Sequence, residues 1–161
     1  MTATIQQGKP SFILLMGLPG AGKSTFRAQF AGQCVALSTD DLIQDVANFA
    51  GKTYDDVFED QIKPATSQVQ AALKSCIKDR TSIIWDQTNL GVKKRKGVLA
   101  QIPDAYHKAV VWITCDEAVR QSRLLMRPGK TIPAHIDKSM RENMTAPTLD
   151  EGWDEIVRYR T

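Results

Sequence analysis

The feature that most constrains this chain is an apolar segment that runs directly into a glycine-rich turn. Residues 11–16 read Ser-Phe-Ile-Leu-Leu-Met, which is typical of a strand buried on both faces of a parallel sheet. Gly17–Ser24 follows at once and fits the pattern G-x4-G-K-S/T. Its glycines allow backbone shapes closed to other residues, and its amides with the start of the next helix form a cradle for anions. The pattern therefore predicts a strand, a phosphate-binding loop and a helix in that order.

This loop predicts binding of a nucleoside triphosphate with Mg²⁺. Lys23 is expected to reach the β- and γ-phosphates, and Ser24 to ligate the metal ion. The predicted nucleotide-binding residues of the loop are Gly17, Gly20, Ala21, Gly22, Lys23, Ser24 and Thr25. No guanine-reading N-K-x-D segment is present, and a length of 161 residues argues against larger motor and AAA-type ATPases. Kinases that act on a small molecule or a nucleic acid remain.

Short apolar strands alternate with helical segments along the whole chain, with no repeat or long linker between them. The predicted strands are 11–16, 34–37, 82–85, 107–114 and 156–159, and the predicted helices are 23–30, 40–50, 54–78, 93–101, 116–126 and 133–143. Pro64 is expected to kink or divide the long helix. This order predicts an α/β fold of the P-loop NTPase type, with a parallel sheet of about four to five strands flanked by helices. The loop 127–132 is expected to form a small lid on a single domain spanning residues 1–161.

Two aspartates follow predicted strands, at the sheet edge where ligands of such folds bind. Asp40 is the candidate general base, because a carboxylate beside the γ-phosphate can accept the proton of a hydroxyl acceptor. Its alternative role is only to favour a positive helix N-terminus. Asp86 is a candidate Mg²⁺ ligand acting through water, or else a turn residue that caps the next segment.

Three arginines lie three and four positions apart, so they share nearly one face of a helix that enters the lid. Arg127 is the first candidate for stabilising the transferred phosphoryl group, and Arg123 is the second. Arg120 is predicted to contact the nucleotide, although a solvated helix face explains it about as well.

The net charge of +3 is unevenly distributed. Residues 40–60 hold seven acidic residues and one basic residue, a local charge of −6, so the rest of the chain carries +9. The basic residues concentrate at 93–96 and again between 120 and 141. These clusters favour a phosphate-rich partner or are ordinary solvated helix faces.

Cysteine usage and hydropathy bear on the compartment. The three cysteines have no CxxC spacing, and no basic-then-apolar leader or apolar run of membrane-spanning length is present. We therefore expect reduced thiols, a cytoplasmic location and no membrane partner.

Several segments together resemble the P-loop kinases related to phage polynucleotide 5′-hydroxyl kinase, in the right order over nearly the whole chain. They are Gly17–Thr25, Ser38–Asp41, Asp86–Leu90, Arg127–Pro133 and Pro147–Gly152. The resemblance implies that Lys23 and Ser24 serve ATP and Mg²⁺, that Asp40 is the general base and that Arg127 is the lid arginine. For a phage protein, the expected compartment is the cytoplasm of the host.

The chain also departs from that family. In that family an arginine three residues after the base helps to hold the acceptor phosphate, whereas this chain has Ile43 at that position, and we expect no phosphatase domain. Recognition of the acceptor is therefore expected to differ from that of the family. The motif set and the +9 charge outside residues 40–60 predict a nucleic-acid acceptor, most readily DNA, with phosphorylation at a 5′-hydroxyl end or at a hydroxymethylated base such as 5-hydroxymethyluracil. The alternatives are a small-molecule kinase of the gluconate or nucleoside type and a nucleotide-binding module without turnover.

Overall fold

The computed structural model describes residue 5 and residues 8–161 of the chain. The strands are β1 (Ser11–Met16), β2 (Val35–Leu37), β3 (Ile83–Asp86), β4 (His107–Thr114) and β5 (Glu155–Arg160). The helices are α1 (Lys23–Ala28), α2 (Thr39–Ala50), α3 (Tyr54–Lys78), α4 (Val92–Leu99), α5 (Glu117–Leu125) and α6 (Ala134–Glu142), followed by a 3₁₀ turn at Leu149–Glu151. The predicted strands and helices are therefore confirmed, with boundaries that shift by one to two residues at most ends.

The strands form one parallel sheet in the order β2-β3-β1-β4-β5. β1 lies at its centre, where Phe12 pairs with Ile83 of β3 and Ser11 with His107 of β4. All six residues of β1 are buried. The predicted α/β fold of the P-loop type is confirmed, and the carboxyl ends of β1 and β3 meet at one edge of the sheet.

Alternate side chains of β1 enter two separate cores. Phe12, Leu14 and Met16 pack with residues of α3 and α4, including Leu73 and Leu99. Ile13 and Leu15 point to the other face and pack with the aromatic residues of α1 and the segment after it, Phe26 and Phe30. Because both faces of the strand are covered, the apolar run is continuous instead of alternating.

The helix α3 passes through Pro64 without a break, so the prediction that Pro64 divides it is wrong. The helix starts with a capping box, in which Thr53 and Asp56 satisfy each other's backbone N–H groups. Pro64 lies on the exposed side, where water can solvate the carbonyl that loses its helical partner. The buried residues of α3, among them Val57 and Ala65, pack against α2.

The loop between α5 and α6, residues 126–133, is hereafter called the lid. It is docked on the first turn of α3, since the Asp55 N–H donates to the Gly129 carbonyl at 2.9 Å and the Thr131 N–H donates to the Asp55 carboxylate at 2.9 Å. Gly129 has φ +73°, and a Cβ there would lie 2.6 Å from the Thr53 Cβ. The close approach of the lid to α3 therefore requires glycine at this position. Among the described helices, none is long and apolar enough to cross a membrane.

Candidate active site

The phosphate-binding loop joins β1 to α1 and is held from two sides. Gly20 and Gly22 have φ +84° and +102°, values that favour glycine. The Gly17 N–H donates to the Thr88 carbonyl at 3.1 Å, which ties the loop to the segment after β3. A Cβ on Gly17 would lie 2.7 Å from the Ile113 carbonyl oxygen, so the loop also packs closely against β4.

Lys23 begins α1 and turns back over the loop. Its Nζ donates to the carbonyls of Gly17 and Leu18, at 2.9 and 3.2 Å. The pKa of Lys23 is lowered to about 8, chiefly by burial. The charges of Asp86 and Asp40 oppose this shift, and those of two lid cations, Arg127 and Lys130, contribute to it. The phosphate-loop lysine, both predicted carboxylates and the lid therefore share one electrostatic environment at the carboxyl edge of the sheet.

Asp40 lies in the first turn of α2, whose N-cap Ser38 accepts a hydrogen bond from the Asp41 N–H. The Tyr54 hydroxyl donates to Asp40 Oδ1 at 2.9 Å, and the Lys130 ammonium donates to Oδ2 at 2.8 Å. Burial alone would raise the pKa of Asp40, but the charge and hydrogen bond of Lys130 and the hydrogen bond of Tyr54 hold it below its ordinary value. The group is therefore an ionised carboxylate near neutral pH, as a general base must be.

Asp86 ends β3 and faces α1. Arg27 Nη1 donates to Asp86 Oδ2 at 2.9 Å and lies 2.7 Å from the Asp41 carboxylate. Burial raises the pKa of Asp86 despite the opposing charges of Lys23 and Arg27. The buried carboxylate therefore depends on these cations to stay ionised.

The donors at this edge fit Mg²⁺. The Ser24 hydroxyl is exposed at the start of α1 and the Asp86 carboxylate lies at the end of β3, and both are the hard oxygen ligands that Mg²⁺ prefers. Within the described ranges no group of three or more His, Cys, Asp or Glu residues could hold a metal ion. A Mg²⁺ ion here would take its remaining ligands from water and phosphate, as is usual for nucleotide-bound Mg²⁺.

The three predicted arginines have different surroundings. Arg120 is buried, with Asp137 bound at 2.8 and 2.9 Å and Glu117 at 2.8 Å, and it donates to the Pro19 carbonyl at 3.2 Å. The alternative of a solvated helix face is therefore wrong for Arg120.

Arg123 also contacts the phosphate-binding loop, and Arg127 lies in the lid. Arg123 donates to the Gly20 carbonyl at 3.2 Å and to the Thr161 hydroxyl at 2.9 Å. Arg127 is partly buried and lies within electrostatic range of Lys23.

The basic run 93–96 divides between surface and core. Arg95 is completely buried, pairs with Glu151 through two hydrogen bonds of 2.7 and 2.8 Å, and donates to the Leu90 carbonyl at 2.8 Å. Its inclusion in a solvated or phosphate-binding basic cluster is therefore wrong. Lys94 is exposed beside the site. Its pKa is lowered by partial desolvation, and the charge of Asp40 only partly offsets this shift.

Sequence reasoning missed three residues of the site. Arg27, Tyr54 and Lys130 contact the predicted carboxylates, from 59, 14 and 90 positions away in the chain. The basic character of the loop 127–132 was the one signal for Lys130. Tyr54 lies in a polar segment whose pattern predicts a helix and no side-chain role.

The family comparison matches residues 12–147, which include every element of the site from β1 to α6. The matching family model is described as an AAA domain. The chain belongs to this family. It is a P-loop family described as an AAA domain, so the exclusion of AAA-type proteins on length alone is wrong. The expectation of a kinase agrees with the names of a curated relative and of several structural neighbours. Membership implies ATP and, as a rule, Mg²⁺.

One curated relative is an L-seryl-tRNA(Sec) kinase of Methanococcus maripaludis, 25% identical over 145 residues, with 88% of this chain and 55% of the relative covered. The chain thus spans about half the length of that relative.

Several solved structures share the fold. A Chloroflexus aurantiacus protein assigned as a kinase superposes with a TM-score of 0.71 at 16% identity, with 97% of this chain and 87% of the other covered. A chain of the Pnkp1/Rnl/Hen1 RNA repair complex gives 0.64 at 23% identity, covering 86% and 45%. A sugar kinase of Janibacter sp. HTCC2649 gives 0.61 at 19% identity, covering 94% and 85%. At these identities the likeness shows the fold.

Proposed function

We propose that this protein is an ATP-dependent kinase that phosphorylates a hydroxyl group on nucleic acid, at a 5′-hydroxyl end or on a hydroxymethylated base such as 5-hydroxymethyluracil in DNA. The observation that carries the proposal is the common charge environment of Lys23, Asp40 and the lid. A phosphate-binding lysine and an ionised carboxylate at one sheet edge are the two groups that phosphoryl transfer to a hydroxyl requires.

Each site residue has a role in this reaction. The oxygen of the acceptor hydroxyl forms a bond to the γ-phosphorus as the bond from that phosphorus to the bridging oxygen breaks, and ADP leaves. Asp40 accepts the hydroxyl proton, while Lys23 and the amides of Gly17–Thr25 hold the phosphates. Ser24 and Asp86 would hold Mg²⁺, whose charge offsets that of the phosphates when it is bound.

The arginines divide the remaining work. Arg127, on the lid and within range of Lys23, is proposed to stabilise the charge of the transferred phosphoryl group, and Arg123 to assist it from beside Gly20. Arg120 already donates to two carboxylates and to the Pro19 carbonyl. Its proposed contribution to nucleotide binding is therefore to hold the phosphate loop in place against α5 and α6.

The nucleic-acid acceptor has support from both surface and relatives. Lys93, Lys94 and Lys96 are exposed on α4, and Lys94 is close enough to Asp40 for the two charges to interact. An exposed lysine near the proposed base, with two more on the same helix, suits the phosphates that flank an acceptor hydroxyl. The relative from M. maripaludis is named for a tRNA-linked acceptor, and the Pnkp1 chain belongs to an RNA repair complex.

One observation favours a small-molecule acceptor instead. Several predicted basic residues are neutralised in the fold: Lys130 pairs with Asp40, and Arg141 lies within 4 Å of both Glu117 and Asp137. The exposed acidic residues Asp45 and Glu59 add negative charge on α2 and α3. A compact acceptor such as a sugar or sugar acid would be less affected by this charge than a polyanion.

Transfer from γ-labelled ATP to a panel of acceptors tests the proposal. The panel holds 5′-hydroxyl oligonucleotides of DNA and RNA, 5-hydroxymethyluracil DNA, serine-charged tRNA, and gluconate with other small sugars. We expect label on a nucleic acid. Label on a small metabolite alone would establish the second candidate, and tight ATP binding without any transfer would establish a binding module.

A further inference from the structure

Both oxygens of Asp40 are engaged by side chains from two other elements. The Tyr54 hydroxyl, from α3, donates to Oδ1 at 2.9 Å, and the Lys130 ammonium, from the lid, donates to Oδ2 at 2.8 Å. The same ammonium lies 4.1 Å from the centroid of the Tyr54 ring, within cation–π range. Asp40, Tyr54 and Lys130 thus contact one another in a closed triangle, hereafter called the base triad.

Tyr54 has little freedom within the triad. It is the first residue of α3, only 8% exposed, and follows directly on the Thr53 N-cap of the capping box. Its ring packs in the apolar cluster shared by α2 and α3 and lies 5.6 Å from the Phe58 ring. A fixed ring leaves only the hydroxyl hydrogen free to turn, so Tyr54 fixes the direction of Oδ1.

Lys130 reaches the triad only through the docked lid. The residues on either side of it, Gly129 and Thr131, are the two that bond to Asp55, the neighbour of Tyr54. The same end of α3 therefore presents Tyr54 to Asp40 and holds the lid that carries Lys130. Undocking the lid would remove one of the two donors to the base.

The triad leaves the carboxylate able to act. Each carboxylate oxygen can accept two hydrogen bonds, so Oδ1 and Oδ2 both keep a lone pair for an acceptor hydroxyl. Two donors from different directions prevent rotation of the carboxylate about its Cβ–Cγ bond. Holding a base in one orientation raises the reaction rate greatly, because a misplacement of about 1 Å lowers the rate about 100-fold.

We propose that Tyr54 and Lys130 are positioning residues for the base Asp40, and that docking of the lid on α3 completes the arrangement. The inference rests on the proposed function only in taking Asp40 as the base. It assigns a role in phosphoryl transfer to one residue of α3 and one of the lid that do not belong to the phosphate loop.

The charges around Asp40 fix the direction of its pH response. The titratable groups that face it from other elements are Tyr54 of α3, Lys130 of the lid, Lys23 of α1, Lys94 of α4 and Asp86 of β3. Partial burial raises the pKa of Asp40, whereas Lys130, Tyr54 and Lys23 lower it. Removing the Tyr54 hydroxyl or the Lys130 charge therefore raises this pKa and moves the acid limb of kcat to higher pH.

The experiment compares two variants with matched controls. Tyr54→Phe and Lys130→Met each remove one donor to Asp40. Tyr106→Phe removes a buried hydroxyl that bonds to the carbonyls of Cys76 and Thr81, away from the site. Lys138→Met removes an exposed lysine of α6 whose partner is Glu142. All four proteins are assayed for kcat against pH, for the Kd of ATP and for the pKa of the Asp40 carboxyl by NMR, with Asp40→Asn assigning the resonance.

We expect Tyr54→Phe and Lys130→Met to lower kcat about 10- to 100-fold, to move the acid limb upward and to raise the pKa of Asp40, with the Kd of ATP little changed. Both controls should keep the wild-type profile. If Tyr54→Phe fails to fold, the lid substitution Lys130→Met still decides the question.

The two proposals fail in different ways. An Asp40 pKa and a kcat profile that stay at wild-type values in Tyr54→Phe and Lys130→Met would overturn the positioning role, even in an active kinase. Full transfer activity in Asp40→Asn would overturn the proposed base. Because the NMR titration needs no acceptor, the positioning role can be tested before the acceptor is identified.

Discussion

At the scale of single residues, the chemistry depends on which carboxylate stays ionised and for what reason. Asp40 is kept ionised by Lys130 and by the Tyr54 hydroxyl, which both donate hydrogen bonds to it. Burial instead raises the pKa of Asp86, and the charges of Lys23 and Arg27 oppose that rise. The proposed function assigns different tasks to these two carboxylates at one sheet edge. The first suits proton transfer and the second suits a place beside a cation.

Replacing Asp40 with Asn should therefore remove transfer and spare nucleotide binding. We expect kcat to fall about 10²- to 10⁴-fold, since the amide cannot accept the hydroxyl proton, while the Kd of ATP measured by calorimetry stays near wild type. Asp45→Asn, an exposed change on the same helix, is the control and should leave both quantities unaltered. An unchanged kcat in Asp40→Asn would remove the residue from its role.

At the scale of elements, ion pairs join the helices that surround the phosphate loop. Arg120 of α5 binds Asp137 of α6 and Glu117 of its own helix, and also donates to the Pro19 carbonyl. The lid therefore connects two helices that are held to each other beside the phosphate-binding loop. Arg95 likewise joins α4 to its neighbours: it pairs with Glu151 of the 3₁₀ turn and donates a hydrogen bond to the Leu90 carbonyl.

The Glu117 pair predicts a loss of stability in acid. Hydrogen bonds from Arg120 and Gln121 lower the pKa of Glu117 to about 2 in the folded protein. A carboxylate with a lowered folded pKa stabilises above its ordinary value near 4.5, and this contribution is lost as pH falls from there toward 2. Glu117→Gln should therefore weaken the pH dependence of the unfolding free energy in that window. Urea titrations at several pH values, with exposed Glu142→Gln as the control, would show it, and parallel curves for wild type and Glu117→Gln would refute the linkage.

Breaking the buried Arg95–Glu151 pair should lower the free energy of unfolding much more than removing Glu117 does. Arg95→Met leaves the Glu151 carboxylate, 3% exposed, without its guanidinium, and such a loss costs about 3 to 5 kcal/mol. Lys96→Met, on the exposed side of the same helix, should change the free energy of unfolding little. Chemical denaturation of both variants measures the difference, and equal effects would show that the buried pair does not stabilise the fold.

At the scale of the whole molecule, the attraction of a charged acceptor depends more on which charged side chains remain outside ion pairs than on the net charge. The −6 of residues 40–60 is partly neutralised from elsewhere, since Lys130 pairs with Asp40 and Arg27 with Asp41. Correspondingly, the basic residues of α5, α6 and the lid are partly neutralised by acidic partners. Lys93, Lys94 and Lys96 are exposed on α4, and Lys94 is close enough to Asp40 for the two charges to interact.

Reversal of these lysines tests the acceptor class. Lys93, Lys94 and Lys96 changed together to Glu should raise the KM of a nucleic-acid acceptor and leave the KM of ATP unchanged. The slope of log KM against log salt should fall by about 1 for each acceptor phosphate that a lysine no longer neutralises. The matched control reverses three exposed lysines of α3, Lys63, Lys74 and Lys78. A salt-independent KM, the same in both triple variants, would argue for a small or uncharged acceptor.

Local patterns predicted most of the elements and the phosphate end of the site. An apolar run without alternation identifies β1, glycines with Lys23 and Ser24 identify the loop, and strand ends select Asp40 and Asp86. These features depend on neighbours within a few residues, because periodicity, turn chemistry and the order of parallel strands are local properties. Pro64 shows the limit, since packing of α3 against α2 outweighs the helix-breaking tendency of one residue.

The amino-acid pattern was thus sufficient to predict a nucleotide site at the end of β1 with a carboxylate near it. Which cations meet the carboxylates depends on the folded arrangement: Lys130 and not a member of the 93–96 run contacts Asp40, and Arg27 contacts Asp86. Folding also placed Arg95 in the core, although its neighbours in the chain are exposed lysines. The physical reason is that an ion pair between residues as many as 90 positions apart follows from how helices dock on a sheet, and no local pattern records that contact.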